Sequence, residues 1–327
     1  LGLLQIWHLV VVALVMGGAA VFFDVSFQSI VPSLVRAERI PDANGKLEST
    51  AQLAGIAGPA AGGWLVAAIT APFAILATVA TYVISLIALL LTRDREVVPE
   101  RHEHEPLGRS IAEGLRWVFG NRYLRRIVPT TAVSNFFGTI MYTLLPILLF
   151  RELGFTPELV GLVFGLSALG GFLGAVSTPW IVRWIGEARA IPVGSLAFTL
   201  IGFAIPAAAA VPDVAFPLLV VQGFLMSFSV LLYNITQVSF RQRITPTRLL
   251  GRMNASIRFC VWGVMPIAAL LAGALGTWIG TVPTMWIGAI GSLLSILPVV
   301  IGPFWSMREL PSPDETEPAR GALPGDS

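Results

Sequence analysis

The chain has 327 residues, of which 55% are hydrophobic and only 12% charged, with a mean hydropathy of +0.78. A soluble domain carries about 25% charged residues, and here the apolar residues gather in blocks of about the 20 that a helix needs to cross a bilayer. The composition therefore sets aside a soluble protein and points to an all-α polytopic membrane protein. A β-barrel is disfavoured because barrel strands alternate apolar and polar positions over about 10 residues, and these blocks do not. The formal net charge of +2 says little as a total. A single cysteine, Cys260, allows neither a disulfide framework nor a cysteine metal site.

Nine transmembrane spans are predicted: 7–31, 49–69, 72–92, 127–149, 157–180, 190–210, 214–239, 257–279 and 283–305. No basic region precedes the first, so it reads as a span and not a signal peptide. Assigning connectors alternately to two sides places 19 cationic residues on one side and Arg151 alone on the other, with Arg258 just inside a span. The rich side is the cytoplasmic one by the positive-inside rule. The expected organisation is a partial N-terminal bundle of three spans over 1–92, a basic cytoplasmic linker over 93–126, a six-helix bundle over 127–306 and a cytoplasmic tail over 307–327. Within the linker, "SIAEGLRWVFGNRYLRR" puts Ile111, Leu115 and Val118 on one face, which predicts an interfacial helix along the inner leaflet. The Pro-rich acidic tail reads as disordered.

An internal repeat links the two bundles. At an offset of 210 residues, "FFDVSFQSIV…IPDANGKLES" falls on "LYNITQVSFR…LLGRMNASIR", so Asp24 meets Asn234, Asn44 meets Asn254 and Glu48 meets Arg258. Such a parallel repeat marks a transporter built from two similar bundles. In that register Leu1 corresponds to a point well inside the second bundle, and roughly 85 residues holding three helices are expected upstream. Restoring three spans also moves the N-terminus from the exterior to the cytoplasm. The expectation is a twelve-helix protein represented here by helices four to twelve, a portion that would not transport alone.

The first span holds an acid, Asp24, followed by Gln28. Ala13, Gly17, Ala20, Asp24 and Gln28 share one helical face. Asp24 lies about 10 Å before the cytoplasmic end at 1.5 Å per residue. A carboxylate facing lipid there would cost several kcal/mol, so it must face protein or a water-filled cavity. It is a candidate for binding a coupling proton or a cationic substrate group, or for a gate that ties helix ends together. Glu48 opens the next span and either caps it, pairs locally or joins the transport path. Arg258 is a gate candidate that could equally snorkel to the interface. Gln222, Met226, Tyr233 and Gln237 form a stripe on one span with Asn234 adjacent, and Asn135 and Tyr142 share a face of another. Amides, tyrosines and methionine together suit a cavity for amphipathic organic molecules, although the same residues can glue helices by hydrogen bonds.

"GPAAGG", Gly58 to Gly63, combines Pro59 with Gly58, Gly62 and Gly63, a pattern that lets a membrane helix bend and pack closely. With two bundles joined by a basic linker, these features resemble the major facilitator superfamily. "FFDVSFQSIVPSLV…ANGKLES", "IAEGLRWVFGNRYLRRIV" and "LLPILLFRELGFTPELVG" are similar to its siderophore and drug exporters, such as enterobactin exporters and macrolide-efflux proteins. The resemblance implies the major facilitator fold, alternating access, and an antiporter motif at GP-x-x-GG, hence export of small amphipathic organic molecules with protons as coupling ion. Two family patterns are missing. "STPWIVRWIGEAR" keeps Arg183, Gly186 and Arg189 without the expected acid, and "LVMGG" stands where an Arg-x-x-Gln-Gly pattern would fall.

An importer of the same fold and a lipid-modifying membrane enzyme are the alternatives. The enzyme is disfavoured because no paired acids, His cluster or activated Ser stand at membrane depth. "RHEHE", 101–105, reads as a solvated loop rather than a metal site. No phosphate-cradling loop is present, so coupling to ATP is not expected; no metal, cofactor or nucleic acid is expected either. The expected setting is the bacterial cytoplasmic membrane, with the protein as a monomer.

Overall fold

The computed structural model describes residues 6–36, 39–91 and 107–310. The stretch 101–105 and the tail beyond residue 310 lie outside the described residues. Among those described, there are helices and no strands.

The six spans predicted for the second bundle correspond to helices. α1 (Ile6–Leu34), α2 (Ile40–Leu91) and α3 (Leu107–Gly120) precede them. α4 (Leu124–Ile147) continues through a wider π-type turn to Glu152, and α5 (Pro157–Ile185) follows. α6 (Glu187–Gly202) and the short α7 (Ala204–Ala207) make one span, and α8 (Ala215–Ile244) the next. α9 (Leu250–Trp262), α10 (Met265–Ile279) and α11 (Thr281–Val300) complete the bundle. Six segments among the described residues are long and apolar enough to cross a membrane: Leu124–Glu152, Glu158–Ile185, Glu187–Ala210, Pro212–Ile244, Thr247–Ile279 and Thr281–Val300. Their outward surface is apolar, with Trp184, Leu270, Trp278 and Ile301 exposed, as a lipid-facing surface requires.

Two expectations are corrected. The spans predicted at 49–69 and 72–92 are one unbroken helix of 52 residues. The supposed turn at Thr70–Ala71 contains no Gly, Asn or Asp that would leave the helical conformation cheaply. At 1.5 Å per residue this helix is about 78 Å long, over twice the bilayer core, so the nine-span count is not reproduced. Conversely, the span predicted at 257–279 is interrupted between Trp262 and Met265. Pro266 stands at the start of α10, and its missing N–H and its ring both oppose a continuous ladder there.

The linker helix α3 docks on α9. Gly114 makes this possible, because a Cβ there would lie 2.6 Å from the Arg252 carbonyl oxygen. Glu113 pairs with Arg252 and approaches Arg248 at 3.7 Å. Trp117 donates its indole N–H to Thr245 Oγ1 at 3.2 Å. Val118 is buried in the bundle core, while Ile111 remains exposed. Glu113→Gln should therefore cost about 1 kcal/mol, as a partly exposed pair does, and lower the thermal midpoint by about 2–4 °C. A melt of the purified variant checks this.

Close backbone approach organises the centre of the bundle. Gly170 and Gly174, one turn apart on α5, face α8, where a Cβ would meet the Phe224 carbonyl oxygen at 2.1 Å and the Phe228 carbonyl oxygen at 2.7 Å. This is the small-xxx-small geometry that membrane helices use when lipid supplies no hydrophobic drive between them.

Candidate functional site

A cavity of about 630 Å³ lies between α4, α6, α8, α10 and α11. α4 contributes Thr131, Asn135 and Tyr142, and α8 contributes Met226, Tyr233 and Asn234. The polar positions are held by specific bonds. The Thr131 and Tyr233 hydroxyls are 2.7 Å apart, and Thr131 also donates to the Ile127 carbonyl at 3.0 Å. Tyr233 packs edge-on against Phe198, with centroids 5.5 Å apart and planes at 76°. Asn135 donates to the Val261 carbonyl at 3.3 Å, beside the break between α9 and α10. Thr199 Oγ1, on the α6 wall, has no hydrogen-bond partner among the described residues.

Five sequence candidates thus meet in one space: Asn135, Tyr142, Met226, Tyr233 and Asn234. Two do not. Gln222 lines a second, smaller cavity of about 90 Å³ between α4, α5 and α8. Gln237 is buried one turn beyond Asn234, at 3.5 Å from Asn234 Oδ1 and from the Arg241 guanidinium. It continues the stripe of Tyr233 and Asn234 along α8 but is not among the residues that line either cavity. Thr131, Phe198 and Thr199 were not singled out in the sequence. A lone Thr at membrane depth commonly bonds back to its own helix, although Thr131 stands one turn before Asn135 on the face shared with Tyr142, and that spacing was the available signal.

At the end of the bundle carrying the basic connectors, the two repeat regions meet. Asn44 of α2 is buried and donates to Ser239 Oγ at 2.9 Å and to Gln242 Oε1 at 2.8 Å on α8. Next to it, Gly45 approaches α5, a Cβ there lying 3.3 Å from the Ala175 carbonyl oxygen. The repeat paired Asn44 with Asn254, which is also buried, on α9. Glu187, following Gly186 at φ 94°, pairs with Arg243 of α8.

Glu48 is partly buried on α2. The Arg258 guanidinium lies over the Trp262 ring at 4.3 Å from its centroid. Asp24 and Gln28 fall on α1, and Pro59, Gly62 and Gly63 on α2; their side chains lie outside the described residues. At Gly58 a Cβ would meet nothing within 4 Å; among the described glycines of α2 the close approach is at Gly45.

The family model for the Major Facilitator Superfamily matches residues 1–267. The chain belongs to the Major Facilitator Superfamily. A solved structure described as a bacterial homologue of the iron transporter ferroportin, in an outward-facing state, has the same fold at a TM-score of 0.69 and 19% identity. That likeness covers 93% of this chain and 75% of the other. No curated protein matches the chain. Membership of this superfamily, together with six helices among the described residues long and apolar enough to cross a membrane, makes this a multi-pass membrane protein and a transporter rather than an enzyme.

Proposed function

We propose that this superfamily member is a secondary active exporter of small amphipathic organic molecules, of the siderophore or drug type, working by alternating access with proton antiport. The observation that carries the reading is the wall of the large cavity, which combines hydroxyls, amides, aromatic rings and the flexible thioethers of Met141, Met226 and Met265. Such a wall offers hydrogen bonds of both senses and an adaptable apolar surface. Iron, named for the similar structure, would call for carboxylate, imidazole or thiolate ligands, which this wall does not present. The GP-x-x-GG pattern of 58–63 supports export, and the depth of Asp24 on the first helix supports proton coupling. The 19-to-1 split of cations supports a bacterial cytoplasmic-membrane setting with the C-terminus inside. The protein works as a monomer in this reading, since the cavity lies within one chain.

The test is flux of lipophilic fluorescent dyes and a catecholate siderophore in proteoliposomes of the complete twelve-helix protein that the repeat leads one to expect, under an imposed proton gradient. Efflux should collapse when an uncoupler is added. In Asp24→Asn, transport should fall several-fold and lose its dependence on pH between about 6 and 8, the range in which a coupling carboxyl must exchange its proton. Uncoupler-insensitive flux would remove the antiport assignment, and an unchanged pH profile would remove Asp24 from it.

A further inference from the structure

The smaller cavity has a different character from the large one. Its walls are mainly aliphatic and aromatic, from Leu145, Leu149, Val163, Phe164, Ile205 and Leu219. Into this lining α8 brings Gln222, which is only 7% exposed and whose Nε2 has no hydrogen-bond acceptor among the described residues. Gly223 and Ser167 hold the helices close beside it, since a Cβ on Gly223 would lie 2.0 Å from Ser167 Oγ. Ser167 already donates to the Val163 carbonyl at 2.6 Å. Tyr142 and Ser227 line both cavities, so the small one is a side pocket of the large one.

A buried amide N–H without an acceptor costs stability, commonly about 1–3 kcal/mol, and such a group calls for an explanation, one of which is an acceptor supplied from outside the chain. The volume of about 90 Å³ matches about three waters' share of the liquid, which is the size of an acetyl or small ester group. No charged side chain lines either cavity, so an ionised acceptor would enter without a counter-charge, at a large desolvation cost. A neutral carbonyl suits the pocket: its oxygen accepts from Gln222 and its alkyl part meets the aliphatic wall.

We propose that this side pocket is a subsite for a neutral carbonyl group of the cargo, with Gln222 Nε2 as the donor that recognises it. The inference deepens the transport reading above and rests on it, because the carbonyl is taken to belong to the exported molecule. It makes Gln222 a specificity-determining residue: it selects ketone, ester or amide cargo over hydrocarbon of the same shape and over carboxylates.

The experiment measures binding, so that it can fail independently of flux. 2-Acetylnaphthalene, 2-isopropylnaphthalene and 2-naphthoate are titrated into the full chain in nanodiscs, with protein-free nanodiscs of the same lipid subtracted. The wild type should bind the ketone about ten-fold more tightly than the hydrocarbon, the discrimination expected of one buried hydrogen bond, and naphthoate more weakly than either. Gln222→Met, close in shape and without a donor, should remove the preference for the ketone and leave hydrocarbon binding unchanged. Gln222→Leu should do the same. Both variants should melt at or above the wild-type temperature, because an unsatisfied buried donor has been removed.

An undiminished ketone preference in both variants overturns the proposal. So does a lowered melting temperature with loss of hydrocarbon binding, which would make Gln222 a structural amide. If the ketone preference depends on Gln222 while dye and siderophore flux is absent, the subsite stands and the exporter reading falls. If flux is proton-driven and the preference is absent, the reverse holds.

Discussion

Replacing Gly170 by alanine is expected to destabilise the protein by about 2–3 kcal/mol, the upper part of the usual range for overpacking. The added Cβ would lie 2.1 Å from the Phe224 carbonyl oxygen and 2.7 Å from its carbonyl carbon. Both are backbone atoms, so no rotamer change relieves the overlap, and α5 and α8 must move apart. They are the most extensively packed helix pair among the described residues, and separating them would loosen the α8 wall of both cavities. Gly174→Ala repeats the effect one turn along, with the Phe228 carbonyl oxygen at 2.7 Å. The same helix contains its own control. Around Gly161 and Gly165 a Cβ would meet nothing within 4 Å, so alanine there should raise stability by about 0.5–1 kcal/mol through reduced backbone entropy. Thermal melts of the four single variants should divide by sign. If all four shifted alike, the close α5–α8 approach would be wrong.

What the sequence made legible follows from where physics leaves few options. Each helix of the second bundle had to offer about twenty apolar residues, so hydropathy alone located all six. The break before Met265 and the continuity across Thr70–Ala71 were not legible, because hydropathy is blind to a proline that interrupts an apolar block and to a turn that fails to form. The same contrast holds in the cavity. A polar side chain at membrane depth must face protein or water, which brought out Asn135, Tyr142, Met226, Tyr233 and Asn234 from helical spacing. That rule does not separate a cavity from a helix–helix contact, and Gln237, on the same stripe, lies outside the residues that line the cavities. For α3, an amphipathic face was visible, but a lipid surface and the flank of another helix ask for the same pattern. Gly114 was the distinguishing residue, and its meaning emerges only when the Arg252 carbonyl is found against it.

A covalent bridge between residues 44 and 239 should stop transport by more than about ten-fold, if the cavity is to be reached alternately from two sides. Asn44 bonds to Ser239 and Gln242 at 2.9 and 2.8 Å, and Gly45 beside it rests on α5. These contacts tie α2 to the C-terminal bundle at the end carrying the basic connectors. Rocking the two parts of the chain to open that end must break them, because two buried amide bonds cannot stretch with the motion and survive. Their neutral character suits a seam that opens and closes, since separating a buried ion pair would cost much more. Asn44→Cys combined with Ser239→Cys, joined by a short bis-methanethiosulfonate, should therefore abolish dye flux, and a reductant should restore it. Each single variant, carrying native Cys260 as the remaining thiol, should transport before and after reagent. Asn44→Ala should retain transport while shifting accessibility, since it weakens one closed state without locking it. Full flux through the cross-linked double variant would mean that α2 and α8 travel together, and the moving seam would then have to run elsewhere in the bundle.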